Sequence, residues 1–126
     1  MKVKITRASA IAVLLAIVSV TPVLAASANY IYTIYSGVLR VASYAESFSE
    51  PGYDRITIDN SIYENSSKKA GNSADCIDDG SMTLSSCSTS ELIVTYDYTK
   101  SYESRSYHFF WLRYSIQKSH SLSDTL

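Results

Sequence analysis

Cys76 and Cys87 frame the stretch SADCIDDGSMTLSSC, Ser73 to Cys87, which holds both cysteines of the chain together with Asp75, Asp78 and Asp79. Several chemistries could use that set. A calcium loop would place Gly80 at the turn and Asp75 and Asp79 at ligand positions one and five. Ile77 and Ser86 would then occupy positions three and twelve, where carboxylates are required. A zinc site would need two further ligands from His108 and His120, and ten residues between cysteines fits no finger or ribbon spacing. A redox pair is usually C-x-x-C. The expectation is a structural Cys76–Cys87 disulfide, since an even count leaves no thiol over in an exported chain. Closing a loop of about a dozen residues stabilises by roughly 3 kcal/mol in the chain-entropy model. A two-residue turn at Asp79-Gly80 would set Cys76 opposite Thr83, so the bridge needs a longer turn or straps a loop to its own stem.

Catalytic chemistry has one other candidate set. Glu91, Arg105 and His108 supply a carboxylate, a guanidinium and an imidazole, which ribonuclease-like cleavage could use as base, phosphate clamp and acid. Alternation works against it, because Arg105 and His108 differ in parity and a regular strand points them to opposite faces. No nucleophile elbow, Walker loop, H-E-x-x-H or G-x-G-x-x-G occurs. Asp78-Asp79 before Gly80 suits a solvated turn. The expectation is a protein that is not an enzyme, with no cofactor and no metal.

Tyrosine offers the better lead. All 11 tyrosines lie beyond residue 28. Tyr53, Tyr63 and Tyr102 share the polar-side parity of their segments. Exposed tyrosine gives large contact area at low entropic cost, which suits a protein or glycan ligand. The function expected is a small secreted non-enzymatic binding protein for an unknown extracellular protein or glycan. A bacteriocin- or toxin-like secreted antagonist is the alternative, and a small secreted hydrolase stands behind both.

Export is read from the first residues. Lys2, Lys4 and Arg7 precede an apolar run from Ala8 to Val20, followed by small residues that allow cleavage after Ala25 or Ala28. The run is 13 residues, and a spanning helix needs roughly 20. The division expected is a signal peptide over 1–28, one β domain over 29–116 and a polar C-terminal tail over 117–126. Removing the signal leaves 8 basic residues against 12 acidic ones, so the formal charge moves from −1 to −4. Without a basic patch, neither nucleic acid nor an anionic membrane surface is an expected partner.

The elements that must position these groups are strands. NYIYTIY, YDRITIDNSIYE, ELIVTYDY and SYESRSYHFFWL carry alternating or β-branched and aromatic residues. SMTL is a shorter candidate. Val41, Tyr44, Ala45 and Phe48 fall at helical spacing, so a short helix near 38–49 is an option. Asn65 to Asp75 reads as an exposed loop. Tyr107 to Leu112 reads as a strand covered on both faces, with Phe109-Phe110-Trp111-Leu112 at the centre of the core. The fold class expected is all-β, a small antiparallel sandwich or open barrel of five to six strands.

Overall fold

Eight antiparallel strands form in chain order: β1 Ala25–Tyr35, β2 Leu39–Ser49, β3 Arg55–Glu64, β4 Ser67–Ile77, β5 Ser86–Ser88, β6 Leu92–Thr95, β7 Tyr102–Leu112 and β8 Ser115–Thr125. The computed structural model describes residues 24–126, so most of the expected signal peptide, residues 1–23, lies outside the described residues. There is no helix among the described residues. Sheet A runs β1-β2-β5, with β6 pairing the other end of β2; sheet B runs β4-β3-β7-β8. The sheets face each other, because Ala45 and Cys87 of sheet A pack in one cluster with Ile56, Ile58 and Phe110 of sheet B.

The helix expected near 38–49 is strand β2 instead. Val41, Ser43, Ala45 and Ser47 all point inward with no exposed surface. Serine shares the buried parity with valine and alanine, so hydropathy alone hides a period of two. SMTL is loop, and the short strand falls at Ser86–Ser88. Asn65 to Asp75 is not a loop but mostly β4, an edge strand whose inward residues are Ala70, Asn72, Ala74 and Cys76. Lys68 and Lys69 guard that edge. The polar tail over 117–126 is corrected in the same way. Ser115–Thr125 pairs along β7, directing Lys118, His120 and Leu122 inward while the serines between them stay exposed.

Two hairpins close on two-residue turns built without glycine. Asn65-Ser66 joins β3 to β4 with φ of 49° and 68°, and Arg113-Tyr114 joins β7 to β8 with φ of 54° and 67°. Paired positive φ matches the right-handed twist of the flanking strands, although Asn-Gly or Asp-Gly is the usual solution. The Cys76–Cys87 disulfide connects β4 of sheet B to β5 of sheet A, with Cα atoms 5.8 Å apart. It therefore staples one sheet to the other, and the long loop between the strands makes that reach possible.

The interior has two apolar clusters. One holds Ala45, Tyr53, Ile56, Ile58, Cys87 and Phe110; the other holds Ile31, Val41, Ile62 and Tyr102. Between them runs a polar seam of Ser43, Ser47, Asn60, Ser104, Ser106 and His108, all essentially without exposure. Burial of such groups is tolerable only when each finds a partner. Asn60 donates to Ser43 Oγ at 3.0 Å and accepts from Ser104 Oγ at 3.2 Å. Asn29 also donates to Asn60 Oδ1 at 3.1 Å.

Candidate binding face

The three residues of the catalytic set do not meet. Glu91 accepts a hydrogen bond from the Tyr32 hydroxyl beside sheet A. Arg105 lies on the outer face of sheet B, where it pairs with Glu103 at 2.9 Å. His108 is enclosed between the sheets. Its Nδ1 meets Ser47 Oγ and its Nε2 meets Ser106 Oγ, each at 2.7 Å. A neutral imidazole has one donor and one acceptor nitrogen, so one serine donates to the ring and the other accepts from it. Burial lowers the His108 pKa to about 4, with the neighbouring His120 adding to the effect. His120, half-buried on β8, is lowered too, first by burial and then by Lys118. Ser27 Oγ bridges the two histidines, standing 2.8 Å from His120 Nδ1 and 3.0 Å from Ser47 Oγ. This chain of hydroxyls and rings is a satisfied core network. His108 has no exposed surface and lines neither the cleft beside Trp111 nor the shallower pockets on the two sheets.

Tyrosine parity also needs correction. Tyr102 faces inward with 3% exposure, on the same side as Ser104, Ser106 and His108. Its hydroxyl donates to Glu64 Oε2 at 2.8 Å and accepts from the Asp97 N–H at 2.9 Å. Tyr53, 4% exposed, sets its ring 5.2 Å from that of Phe110. Neither belongs to a binding surface. Serines marked the polar side in the sequence, but here they line a polar core, so the parity inverts. Tyr63 remains half-buried on the outer face of β3, with the Arg105 guanidinium 4.0 Å above its ring.

The outward residues of β7 are Glu103, Arg105, Tyr107, Phe109 and Trp111, the last three an aromatic row. This strand is covered on one face only, contrary to the two-sided burial expected. Phe110 alone of the Phe109–Leu112 run is fully buried. Tyr107 is exposed, while Phe109 and Trp111 are half-buried. Registered pairs place Asp59, Thr57 and Arg55 beside these rings on β3, and Ser121, Ser119 and Ile116 beside them on β8. The Trp111 indole donates to Thr57 Oγ1 at 3.0 Å, which fixes the ring's edge. Arg55 stands 5.3 Å from the Trp111 ring centre and binds Asp75 through two hydrogen bonds of 2.8 and 2.7 Å. That carboxylate holds the Arg55 pKa up, and the guanidinium holds the Asp75 pKa down.

Beyond Trp111 the face runs into a cleft of about 510 Å³ walled by Arg55, Ile77, Met82, Trp111, Arg113 and Tyr114. Three non-glycine residues with positive φ converge there: Met82 at 58°, Arg113 at 54° and Tyr114 at 67°. Such backbone costs energy and persists only where the surroundings enforce it. Asp78 enforces the first. Its carboxylate accepts the N–H groups of Gly80, Met82, Thr83 and Leu84 at 2.8 to 3.1 Å. Those backbone donors, Met82 foremost, hold the Asp78 pKa low. Asp54 helps enforce the second, accepting the Arg113 N–H at 2.9 Å. The adjacent acids of the cysteine stretch are thus loop-building groups. Among the described residues no cluster of three or more His, Cys, Asp or Glu could hold a metal ion.

Sheet A also carries outward rings; three of its tyrosines satisfy one another or nearby acids, while Phe48 stays exposed at the end of β2. Tyr30 and Tyr44 stack at 4.7 Å, and the hydroxyls of Tyr30 and Tyr32 donate to Glu46 and Glu91. The Tyr107 hydroxyl on sheet B makes no hydrogen bond among the described residues. The signal for this face was present in the sequence, as alternate aromatics Tyr107, Phe109 and Trp111, but the intervening His108 and Phe110 filled the other parity and masked it. No family model, curated protein or solved structure matches the chain.

Proposed function

We propose that this chain is a non-enzymatic extracellular binding protein whose ligand lies on the outer face of sheet B. The observation that carries the reading is the row Tyr107, Phe109 and Trp111, left uncovered on a central strand and continuing into the cleft at Arg113 and Tyr114. Aromatic side chains on a rigid strand supply contact area with little entropy to lose on binding. Tyr63, at the other end of the face, extends the row of rings. The Cys76–Cys87 bridge supports an oxidising, extracellular setting. Enclosure of His108 in a satisfied network argues against hydrolysis through that residue, because a general base must reach its substrate proton.

The test uses surface material from cultures of the producing cells. Protein carrying Tyr107→Ala and Trp111→Ala together is expected to lose retention on that material while keeping the circular dichroism and melting temperature of the parent. Retention equal to the parent's would refute the assignment of this face.

A further inference from the structure

We propose that the outer face of sheet B takes a neutral, extended glycan lying along β7, with sugar rings on Tyr107, Phe109 and Trp111 and the chain's end in the cleft past Trp111. The inference rests on the binding-face reading and adds the class of ligand.

Most charge on the face is matched in place, and the two groups left without an ion pair among the described residues, Asp59 and Arg113, are of opposite sign. Arg55 is held by Asp75 and Arg105 by Glu103, and each guanidinium also lies over a ring. A partner of strong net charge meets no complementary field there. Hydroxyls supply the second argument. Ser73 on β4 and Ser119, Ser121 and Ser123 on β8 are exposed beside the aromatic row, and their hydroxyls make no hydrogen bond among the described residues. A hydroxyl both donates and accepts, which suits a ligand whose own groups are hydroxyls. Protein interfaces are depleted in serine, so this frame favours a sugar over a protein. Spacing is the third. Rings on alternate residues of one strand recur about every 6.8 Å, which gives an extended sugar chain a continuous aromatic strip to lie along. At the end of the line, the Arg113 guanidinium has no ion pair among the described residues, and its planar fork can hold two neighbouring hydroxyls.

Trp111 is the only tryptophan, so its emission reports on this face alone. Purified protein is titrated with β-1,4-linked hexasaccharides of glucose, xylose and mannose, and with polygalacturonate as the anionic counterpart. At least one neutral probe is expected to shift Trp111 emission to saturation while polygalacturonate does not. Tyr107→Ala, folded by circular dichroism, should weaken that binding about tenfold. A response to polygalacturonate alone, or to no probe, overturns the inference. The retention assay separates this failure from that of the face itself. Periodate, which cleaves vicinal diols, should abolish retention on surface material, and protease should leave it intact. The opposite sensitivities would overturn the glycan while leaving the face standing; retention indifferent to Tyr107→Ala with Trp111→Ala would remove both.

Discussion

Acidification should destabilise this protein through His108 from pH values at which its carboxylates are still ionised. An ordinary histidine has a pKa near 6.5, and enclosure between the sheets lowers that of His108 to about 4. The unfolded chain therefore binds more protons than the folded one between those values, and stability falls as pH drops through that window. Above pH 6.5 the ring is neutral in both states and its contribution is complete; below about 4 the loss is complete. The difference corresponds to an upper figure of about 3 kcal/mol. Rotation of the Ser47 and Ser106 hydroxyls to accept from an imidazolium reduces it towards about 2 kcal/mol. His120, lowered in the same direction, adds to the slope. Asp75, Asp78 and Asp97 have lowered pKa values, so the stability they contribute is lost only as pH falls below about 4; Glu64, lowered chiefly by the hydrogen bond from Tyr102, begins to lose its contribution near 4.5, at the foot of the histidine window. Urea unfolding at pH 7, 5.5 and 4.5 measures the effect, and His108→Gln should flatten the curve while lowering stability at pH 7. A wild-type stability unchanged between pH 6.5 and 4.5, or a His108 ring titrating near 6.5 by NMR, would refute the enclosed network.

Three further outcomes follow from the same contacts. Cys76→Ala with Cys87→Ala should lower stability by roughly 3 kcal/mol in urea titration, because the bridge joins the two sheets across a loop of sequence separation 11. Asp78→Ala removes the acceptor for four backbone N–H groups, so amides 80–84 should lose hydrogen-exchange protection and the loop should become the first site of limited proteolysis. Intact mass of the exported protein should place its first residue at Ala26 rather than Asn29. Cleavage after Ala28 would discard Ser27, which links His120 to Ser47, together with the β1 pairs Ala26–Ala28 to Phe48–Glu46.

The sequence disclosed strands wherever apolar residues alone marked the buried parity. Ile56, Ile58 and Ile62 made β3 legible, and the only cysteine pair made the bridge legible. Legibility failed where polar residues occupy the inner face. Ser43 and Ser47 turned β2 into an apparent helical pattern, and Ser104 and Ser106 made Tyr102 look wet. The edge strands β4 and β8 bury little more than alanine, histidine and one leucine on their inner sides, so hydropathy gave them no contrast. The binding face was hidden by the opposite effect. With Phe110 inside and Phe109 and Trp111 outside, an unbroken aromatic run resembled a strand covered on both faces. Separating these cases requires knowing that the sandwich has a polar seam, which is a property of three strands meeting rather than of any one of them.

Shielding of Trp111 is the most direct measure of the central claim. Acrylamide quenching of its emission is compared for free protein and for protein retained on surface material. Engagement of sheet B's outer face predicts that retention markedly lowers the quenching constant, and that His108→Gln, a core substitution, behaves like the parent. Retained protein whose Trp111 is quenched as readily as the free protein's would contradict the account.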